Sequence, residues 1–377
     1  MHIVYIITKL ELGGAQKVCL SLHKGLKANN ISSTLISGDE GALVSQVAGD
    51  ATTILLPSLK REISLNSIID EIKTFFSVVG ILRNLKKQIK TNIIVHTHST
   101  KAGITGRWAA FFAGISTRVH TVHGFAFHKN QHKLVWFLIV ACEWITALIT
   151  THFVVVSSTD EETGSNLLPR FKKHHTIIRA AAFTQPKTSI ARTGKQYSAE
   201  SPMILGTVSC FKPQKNLTDL LHIFNDAAKK IPHIRLEIIG DGAERQKLES
   251  LVQTLGICHQ VVFAGWQHNL APWLERWDAF VLSSLWEGLP CSVVEARLFK
   301  LPVIAYNTGG IKDVIQTNMN GVLVPQHHKK TFTTAIIGYY LHPTIYEQQA
   351  MCDDDLSDFS EQAMINEHIK LYRFLTH

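Results

Sequence analysis

The sequence predicts an α/β protein made of two doubly wound domains. Short apolar runs alternate with longer amphipathic stretches, the pattern of a parallel sheet covered by helices on both faces. The alternation occurs twice, with an unpatterned segment between the two rounds. At 377 residues the chain also exceeds the size at which one hydrophobic core stops growing.

In the first half, strand character falls at His2–Ile7, Ser33–Ser37, Ile93–His96, Thr117–Val122 and Phe153–Val156, separated by helix-like segments. The second half repeats the scheme at Ile204–Val208, Arg235–Ile239, Gln260–Phe263, Ala279–Leu282, Pro302–Ala305 and Gly321–Val324. Between the halves, Ala180 to Pro202 is rich in Ala, Ser, Thr, Lys and Gln and lacks periodicity, which marks a linker. The expected organisation is an N-terminal domain over residues 1–180, a linker over 181–202, a C-terminal domain over 203–350 and a helical segment over 351–377 that packs back on the N-terminal domain. Ligands of open α/β sheets bind outside the carboxyl ends of the strands, so functional residues are expected in strand-to-helix loops around a shared cleft.

Composition narrows the class. The chain is 45% hydrophobic and 18% charged, which excludes a disordered or fibrous protein. Its net charge of +8 is uneven: residues 1–190 carry +10 and residues 191–377 carry −2. A basic first half suits an anionic surface or substrate, and no nucleic-acid-binding motif accompanies it. The six cysteines have neither CxxC nor zinc-ligand spacing, so they read as reduced residues of a cytosolic protein. The opening MHIVYIITKLELGG lacks a basic n-region and fits a first buried strand better than a signal peptide. Leu134 to Ile149 is apolar, but it is short for a bilayer span and has Glu143 at its centre, so a buried or interfacial helix is expected there.

The segment Ser283 to Glu295 (SSLWEGLPCSVVE) follows an expected strand and leads into an expected helix. A helix that begins beside Gly and Pro offers unpaired N–H groups and a positive dipole end, a suitable seat for a diphosphate. Glu287 lies in the loop and Glu295 inside the helix, so the two carboxylates would touch different parts of one ligand. This segment resembles the Glu-x7-Glu signature of the retaining glycosyltransferases of family 4. The neighbouring motifs match in order: Gly206 to Asn216 (GTVSCFKPQKN), Gly240-Asp241-Gly242, Phe263-Ala264-Gly265-Trp266, Thr308-Gly309-Gly310 and Asn320-Gly321. The similarity spans nearly the whole chain.

The resemblance implies the GT-B fold, two Rossmann-like domains facing across a cleft, and transfer of a sugar from a nucleotide-sugar donor. It implies that Glu287 binds hydroxyls of the transferred sugar, Glu295 the ribose, and Lys215 the diphosphate, with Leu289, Pro290 and Cys291 at the phosphate-binding turn. Gly242, Trp266 and Gly309 join the donor site with their motifs. The chain departs from the family pattern at Cys210, where many relatives carry Arg; Lys212 stands two residues on. In the first half, Gly13-Gly14 resembles the family's glycine loop beside the donor phosphate, and His123-Gly124 resembles its His-Gly pair, whose histidine contacts the donor sugar. His96 and His98 follow a strand and are expected on the cleft side. The chemistry implied is departure of the nucleoside diphosphate from the anomeric carbon and attack there by an acceptor hydroxyl on the same face, with His123, Glu287 and Lys215 central and no metal or other cofactor. Asp353 to Asp355 reads as a solvated turn or helix cap rather than a metal motif.

The basic stretches 83–90 and 127–133 adjoin apolar segments, which points to a peripheral position on an anionic membrane, at the inner face of the cytoplasmic membrane. The stretch Thr121 to Phe125 resembles capsule and exopolysaccharide transferases, which implies a lipid-linked or oligosaccharide acceptor. The alternatives are a nucleotide-sugar epimerase of the same fold and a non-catalytic partner subunit.

Overall fold

The computed structural model describes residues 1–60, 68–186 and 196–376; residues 187–195 of the expected linker lie outside these. The chain divides into two compact units, one formed by Met1–Ala181 together with Asp358–His377, the other by Ala182–Ser357.

The first unit holds a seven-stranded sheet of β1 (His2–Ile7), β2 (Ser32–Ser37), β3 (Thr53–Leu55), β4 (Ile93–His98), β5 (Thr117–Val122), β6 (His152–Val155) and β7 (His175–Ile177). All neighbours are parallel, in the order β3-β2-β1-β4-β5-β6-β7. Its connecting helices are α1 (Gly14–Ala28), α2 (Ile68–Gln88), α3 (Thr100–Phe112), α4 (Lys133–Ala147) and α5 (Ser158–Leu167). Every residue of β1 and β4 is buried, as the continuous apolar runs of a sheet covered on both faces require. The edge strands β3 and β7 have three residues each, too few to give a periodic signal, and sequence reasoning missed both.

The second unit has a six-stranded parallel sheet of β8 (Met203–Val208), β9 (Ile234–Ile239), β10 (Val261–Gly265), β11 (Ala279–Leu282), β12 (Val303–Tyr306) and β13 (Gly321–Val324). Their order is β10-β9-β8-β11-β12-β13. The helices are α6 (Leu217–Ala228), α7 (Arg245–Leu255), α8 (Ala271–Arg276), α9 (Cys291–Leu298), α10 (Lys329–Leu341) and α11 (Pro343–Met351). Its core packs Leu205, Leu236 and Val281 of the sheet against Leu221 and Phe224 of α6 and Phe332 of α10.

The last helix, α12 (Glu361–Phe374), belongs to the first unit. Ser360 caps it, its Oγ accepting from Ala363 N at 3.2 Å. Ser21 Oγ of α1 donates to Glu361 Oε1 at 2.7 Å, and Tyr372 OH lies 3.0 Å from Tyr5 OH of β1. A side chain at Gly25 of α1 would collide with Ile365, so glycine is what allows the two helices to approach so closely.

Helix α4 accounts for the apolar stretch around Glu143. Its charge points inward: Glu143 is buried and accepts from Arg107 Nη2 of α3 at 2.8 Å. Arg107 also donates to Gly103 O and Thr150 Oγ1, at 2.8 and 2.9 Å. Leu134, Val135, Phe137, Leu138, Trp144 and Ile145 are exposed instead. Among the described residues no helix is long and apolar enough to cross a membrane.

In each sheet the strand order reverses once, between β1 and β4 and between β8 and β11. These are the points at which loops diverge and leave a crevice at the carboxyl ends of the strands.

Candidate functional site

In the second unit the two loops at the reversal point are tied together. The loop after β8 ends in a 3₁₀ turn, Pro213–Lys215, and α6 begins behind Asn216, which takes a left-handed φ of +48°. The loop after β11 runs from Ser283 to Pro290 and enters α9. Ser283 Oγ bonds to the carbonyls of Lys215 and Asn216 at 2.9 and 3.0 Å, and Leu285 N donates to Gln214 O at 2.9 Å. Gln214 Nε2 donates to Trp286 O at 2.7 Å. Thr308 Oγ1 and Gln326 Nε2 both reach Leu285 O, at 3.1 and 2.6 Å. The loop carrying Glu287 is therefore fixed along its length before any ligand arrives.

Lys215 Nζ donates to Glu287 Oε1 in a close ion pair, with both side chains largely buried. Sequence reasoning gave these residues separate tasks; the structure brings them together across 72 positions of sequence. An ammonium and a carboxylate held side by side present a donor and an acceptor to one ligand, which suits a molecule with an anionic phosphate next to sugar hydroxyls.

Glycines set the closeness of the surrounding loops. Gly309 has φ +54°, and a Cβ there would run into the carbonyl of Glu287; the next amide, Gly310 N, donates to Gly288 O at 2.6 Å. Gly240 has φ +126°, and a Cβ there would strike Ser209 O, so the Gly240–Gly242 turn lies directly against the loop after β8. Gly242 lines the same contact, against Phe211.

Helix α9 has no side-chain cap at Pro290, and its third amide, Val293 N, donates to Pro290 O at 2.9 Å; the positive end of the helix dipole lies at this turn. Leu289 and Pro290 are buried, and Cys291 is partly exposed at its first turn. Glu295 is the fifth residue of α9 and is buried; its Oε1 accepts from the amides of Phe183 and Thr184 at 3.3 and 3.1 Å. Sequence reasoning had no means of seeing that partner, which comes from 111 positions away. Lys212 opens the 3₁₀ turn that ends in Lys215, and Cys210 lies in the loop just before it. Trp266 follows the edge strand β10 and is 40% exposed.

In the first unit, Gly13 caps α1 and Gly14 starts it, directly after β1. Thr8 Oγ1 at the end of β1 lies 3.3 Å from Ser99 Oγ at the end of β4, which joins the two loops of this reversal point. His96 and His98 do not follow the strand: they are inside β4, wholly buried, which corrects the expectation that both stand at a cleft. Pairing of Thr97 with Ile6 of β1 and His120 of β5, and of His98 with Thr121 of β5, extends the strand two residues beyond its apolar run. His123 follows β5, is partly exposed, and has its Nε2 2.9 Å from His98 Nδ1. His96 Nδ1 lies 2.5 Å from Tyr372 OH and its Nε2 2.6 Å from Thr121 Oγ1. Burial lowers the pKa of His96, His98 and His123, with neighbouring histidines adding to the shift, so these rings are neutral at pH 7.

Asp354 corrects the reading of the acidic triplet as a solvated turn. It accepts from the buried Arg297 Nε at 2.5 Å and from Asn320 Nδ2 at 2.9 Å, while Asp353 is exposed and Asp355 accepts from Ser357. Among the described residues no three His, Cys, Asp or Glu side chains are grouped to hold a metal ion.

Residues 12–172 match the model of glycosyltransferase family 4, and residues 192–354 match that of the glycosyl transferases group 1. The chain is 30% identical over 351 residues to the UDP-Gal:alpha-D-GlcNAc-diphosphoundecaprenol alpha-1,3-galactosyltransferase of Escherichia coli, covering 86% of this chain and 84% of that one. It is 23% identical over 365 residues to the O-antigen biosynthesis glycosyltransferase WbnH of Escherichia coli, covering 96% and 93%. Among solved structures, Anabaena HepE in complex with UDP and glucose superposes with a TM-score of 0.80 at 15% identity, covering 98% and 99% of the two chains. Sucrose-phosphate synthase from Thermosynechococcus elongatus superposes with a TM-score of 0.79 at 19% identity, covering 100% and 99%. With its two parallel sheets, this chain has the GT-B fold and belongs to the glycosyltransferases of family 4.

Proposed function

We propose that the chain is a retaining, metal-independent glycosyltransferase that moves a hexose or N-acetylhexosamine from a UDP-linked donor to a hydroxyl of a lipid-linked saccharide. The observation that carries the proposal is the Lys215–Glu287 pair, fixed at the reversal point of the second sheet. In this reading Lys215 and the start of α9 neutralise the leaving diphosphate, acting more strongly as its charge develops than on the bound donor. Glu287 receives hydroxyls of the transferred sugar, and Glu295 receives the ribose. Leu289, Pro290 and Cys291 form the phosphate turn; Gly242, Trp266 and Gly309 complete the donor site, and Lys212 stands in for the cation absent at position 210. In the first unit Gly14 and His123 meet the reactants. Both glutamates bind, and neither serves as nucleophile; the departing phosphate takes the acceptor proton.

The UDP-linked donor and the lipid-linked acceptor draw support from the relatives and from the outer face of α2, α3 and α4. Ile69, Ile72 and Phe76 of α2, Phe111 and Phe112 of α3, and the apolar face of α4 are all exposed. Aromatic contacts run from Phe75 and Phe76 to Phe112 and on to Phe111 and Trp108. Arg83 and Lys86 reach the carbonyls of Phe112 and Gly114, which places cations at the edge of this apolar surface. Such a face suits the boundary of an anionic bilayer. The activity then belongs to cell-surface polysaccharide assembly at the inner face of the cytoplasmic membrane.

A melting-temperature panel of nucleotide sugars tests the donor reading, because a ligand that binds only the folded state raises its stability, by about 2.7 kcal/mol at a hundred times Kd. UDP-sugars are expected to raise the melting temperature, and Glu287→Ala to keep UDP binding while losing transfer. No shift with any nucleotide sugar would sink the reading. Donor conversion without an added acceptor would point to an epimerase. Binding to vesicles containing phosphatidylglycerol should weaken in the Phe137→Glu, Trp144→Glu double variant; equal binding of both proteins would remove α4 from the membrane surface.

A further inference from the structure

His123 meets a buried group of histidines and tyrosines that the donor reading does not use. His98 is completely buried and lies 2.9 Å, Nδ1 to Nε2, from His123, with the two rings stacked at 5.2 Å between centroids. The other His98 nitrogen, Nε2, has no hydrogen-bond partner among the described residues. Each ring is neutral and carries one hydrogen, so the bond can be arranged in two ways. If His123 Nε2–H donated, His98 would carry its hydrogen on Nε2 and bury an N–H with no acceptor. If His98 Nδ1–H donates, the buried Nε2 keeps only a bare lone pair. Orphaned buried N–H groups are the rarer and costlier of the two.

The same cluster contains a ring whose hydrogen position is fixed by its partner. His368 of α12 bonds through Nδ1 to the carbonyl of Met364 at 2.8 Å, so the hydrogen is on Nδ1 and the buried Nε2 is a bare lone pair. His368 stacks on His96, and His96 stacks on His98, at 5.6 and 4.6 Å. His96 in turn bonds at both nitrogens, to Tyr372 and Thr121, so its ring cannot rotate to serve His98. His96 of β4 and Tyr5 of β1 thus pack on His98, and His368 and Tyr372 of α12 pack on His96.

We propose that His98 is a positioning residue for His123: by donating from Nδ1 to His123 Nε2, it fixes the ring and forces the His123 hydrogen onto Nδ1, so that His123 offers a reactant an N–H donor. The inference rests on the reading that His123 meets the reactants, and it specifies the chemistry met there, an oxygen acceptor on the sugar or phosphate.

Long-range 1H–15N spectra of the full chain with labelled histidine test it, with the His123 signals assigned by a His123→Asn variant. His123 is expected as the pure Nδ1–H tautomer, with Nε2 shifted to the position of a bare nitrogen. An Nε2–H tautomer, or an average of the two, overturns the proposal. His98→Asn places an amide N–H where Nδ1 stands and should preserve the signature, whereas His98→Leu should release His123 into a tautomer mixture. An unchanged His123 spectrum in His98→Leu equally overturns it; should that variant not fold, the wild-type and His98→Asn spectra still decide. In transfer from UDP-galactose, His98→Leu should lower kcat by about tenfold or more with little change in KM, the scale at which supporting hydrogen bonds act, and His98→Asn should recover most of it. A fully active His123→Ala would remove His123 from the reaction while leaving the tautomer result intact, so the two readings fail separately.

Discussion

At position 309 the backbone takes φ +54°, and any side chain would run into the carbonyl of Glu287. Gly309→Ala should therefore destabilise the second unit by about 1–3 kcal/mol and displace Glu287. Urea unfolding checks the first effect and titration calorimetry with UDP-sugars the second; unchanged nucleotide sugar affinity would separate the Gly309 turn from the donor site. Glu287 and Lys215 were legible in the sequence because each belongs to a motif of adjacent residues. Their ion pair was not, since nothing local links a 3₁₀ turn after β8 to a loop after β11. His98 was misplaced for a related reason: a histidine at the end of an apolar run reads as a loop residue until the partners that bury it, Tyr5 and His123, are known.

Helix α4 reverses the usual arrangement of a surface helix, with its one acidic residue inside and its large apolar residues outside. Glu143→Ala would leave the Arg107 guanidinium buried without its counter-charge, and loss of one partner from such a pair costs about 3–5 kcal/mol. A fall of that size in the free energy of unfolding is expected. Phe137→Glu, at an exposed site, should change it by less than about 0.5 kcal/mol. The sequence showed that this stretch was apolar and interrupted by a charge, and therefore not a bilayer span. It did not show which way the charge faced, because a nearly all-apolar helix has no moment to orient it. The internal strands were legible for the opposite reason: buried on both faces, they stand out as continuous apolar runs.

For the whole molecule, the histidine cluster sets an acid limit. Burial pushes the pKa of His368 down to about 4 and lowers those of His96, His98 and His120. The unfolded chain takes up these protons near pH 6.5 and the folded chain does not, so stability is complete above 6.5 and declines as pH falls. Between pH 6.5 and about 4, His368 contributes a loss of stability that grows as pH falls. The melting temperature should fall through this window, and a Phe substitution at His368 should flatten the fall; a profile that is level down to pH 4 would contradict it. The alternation of strands and helices made the two sheets legible as a whole; α12 is tied to the first unit by contacts such as Tyr372 with Tyr5, made across 367 positions. That allegiance has a consequence during synthesis. Residues 1–181 leave the ribosome long before the helix that completes their core, and at about 5–20 residues per second the wait is roughly 10 to 40 s. Throughout that interval the face of α1 around Gly25 and the Tyr5 hydroxyl lack their final partners, while the second unit emerges with all of its own. The second unit can thus close before the first, which is finished only when α12 emerges after it.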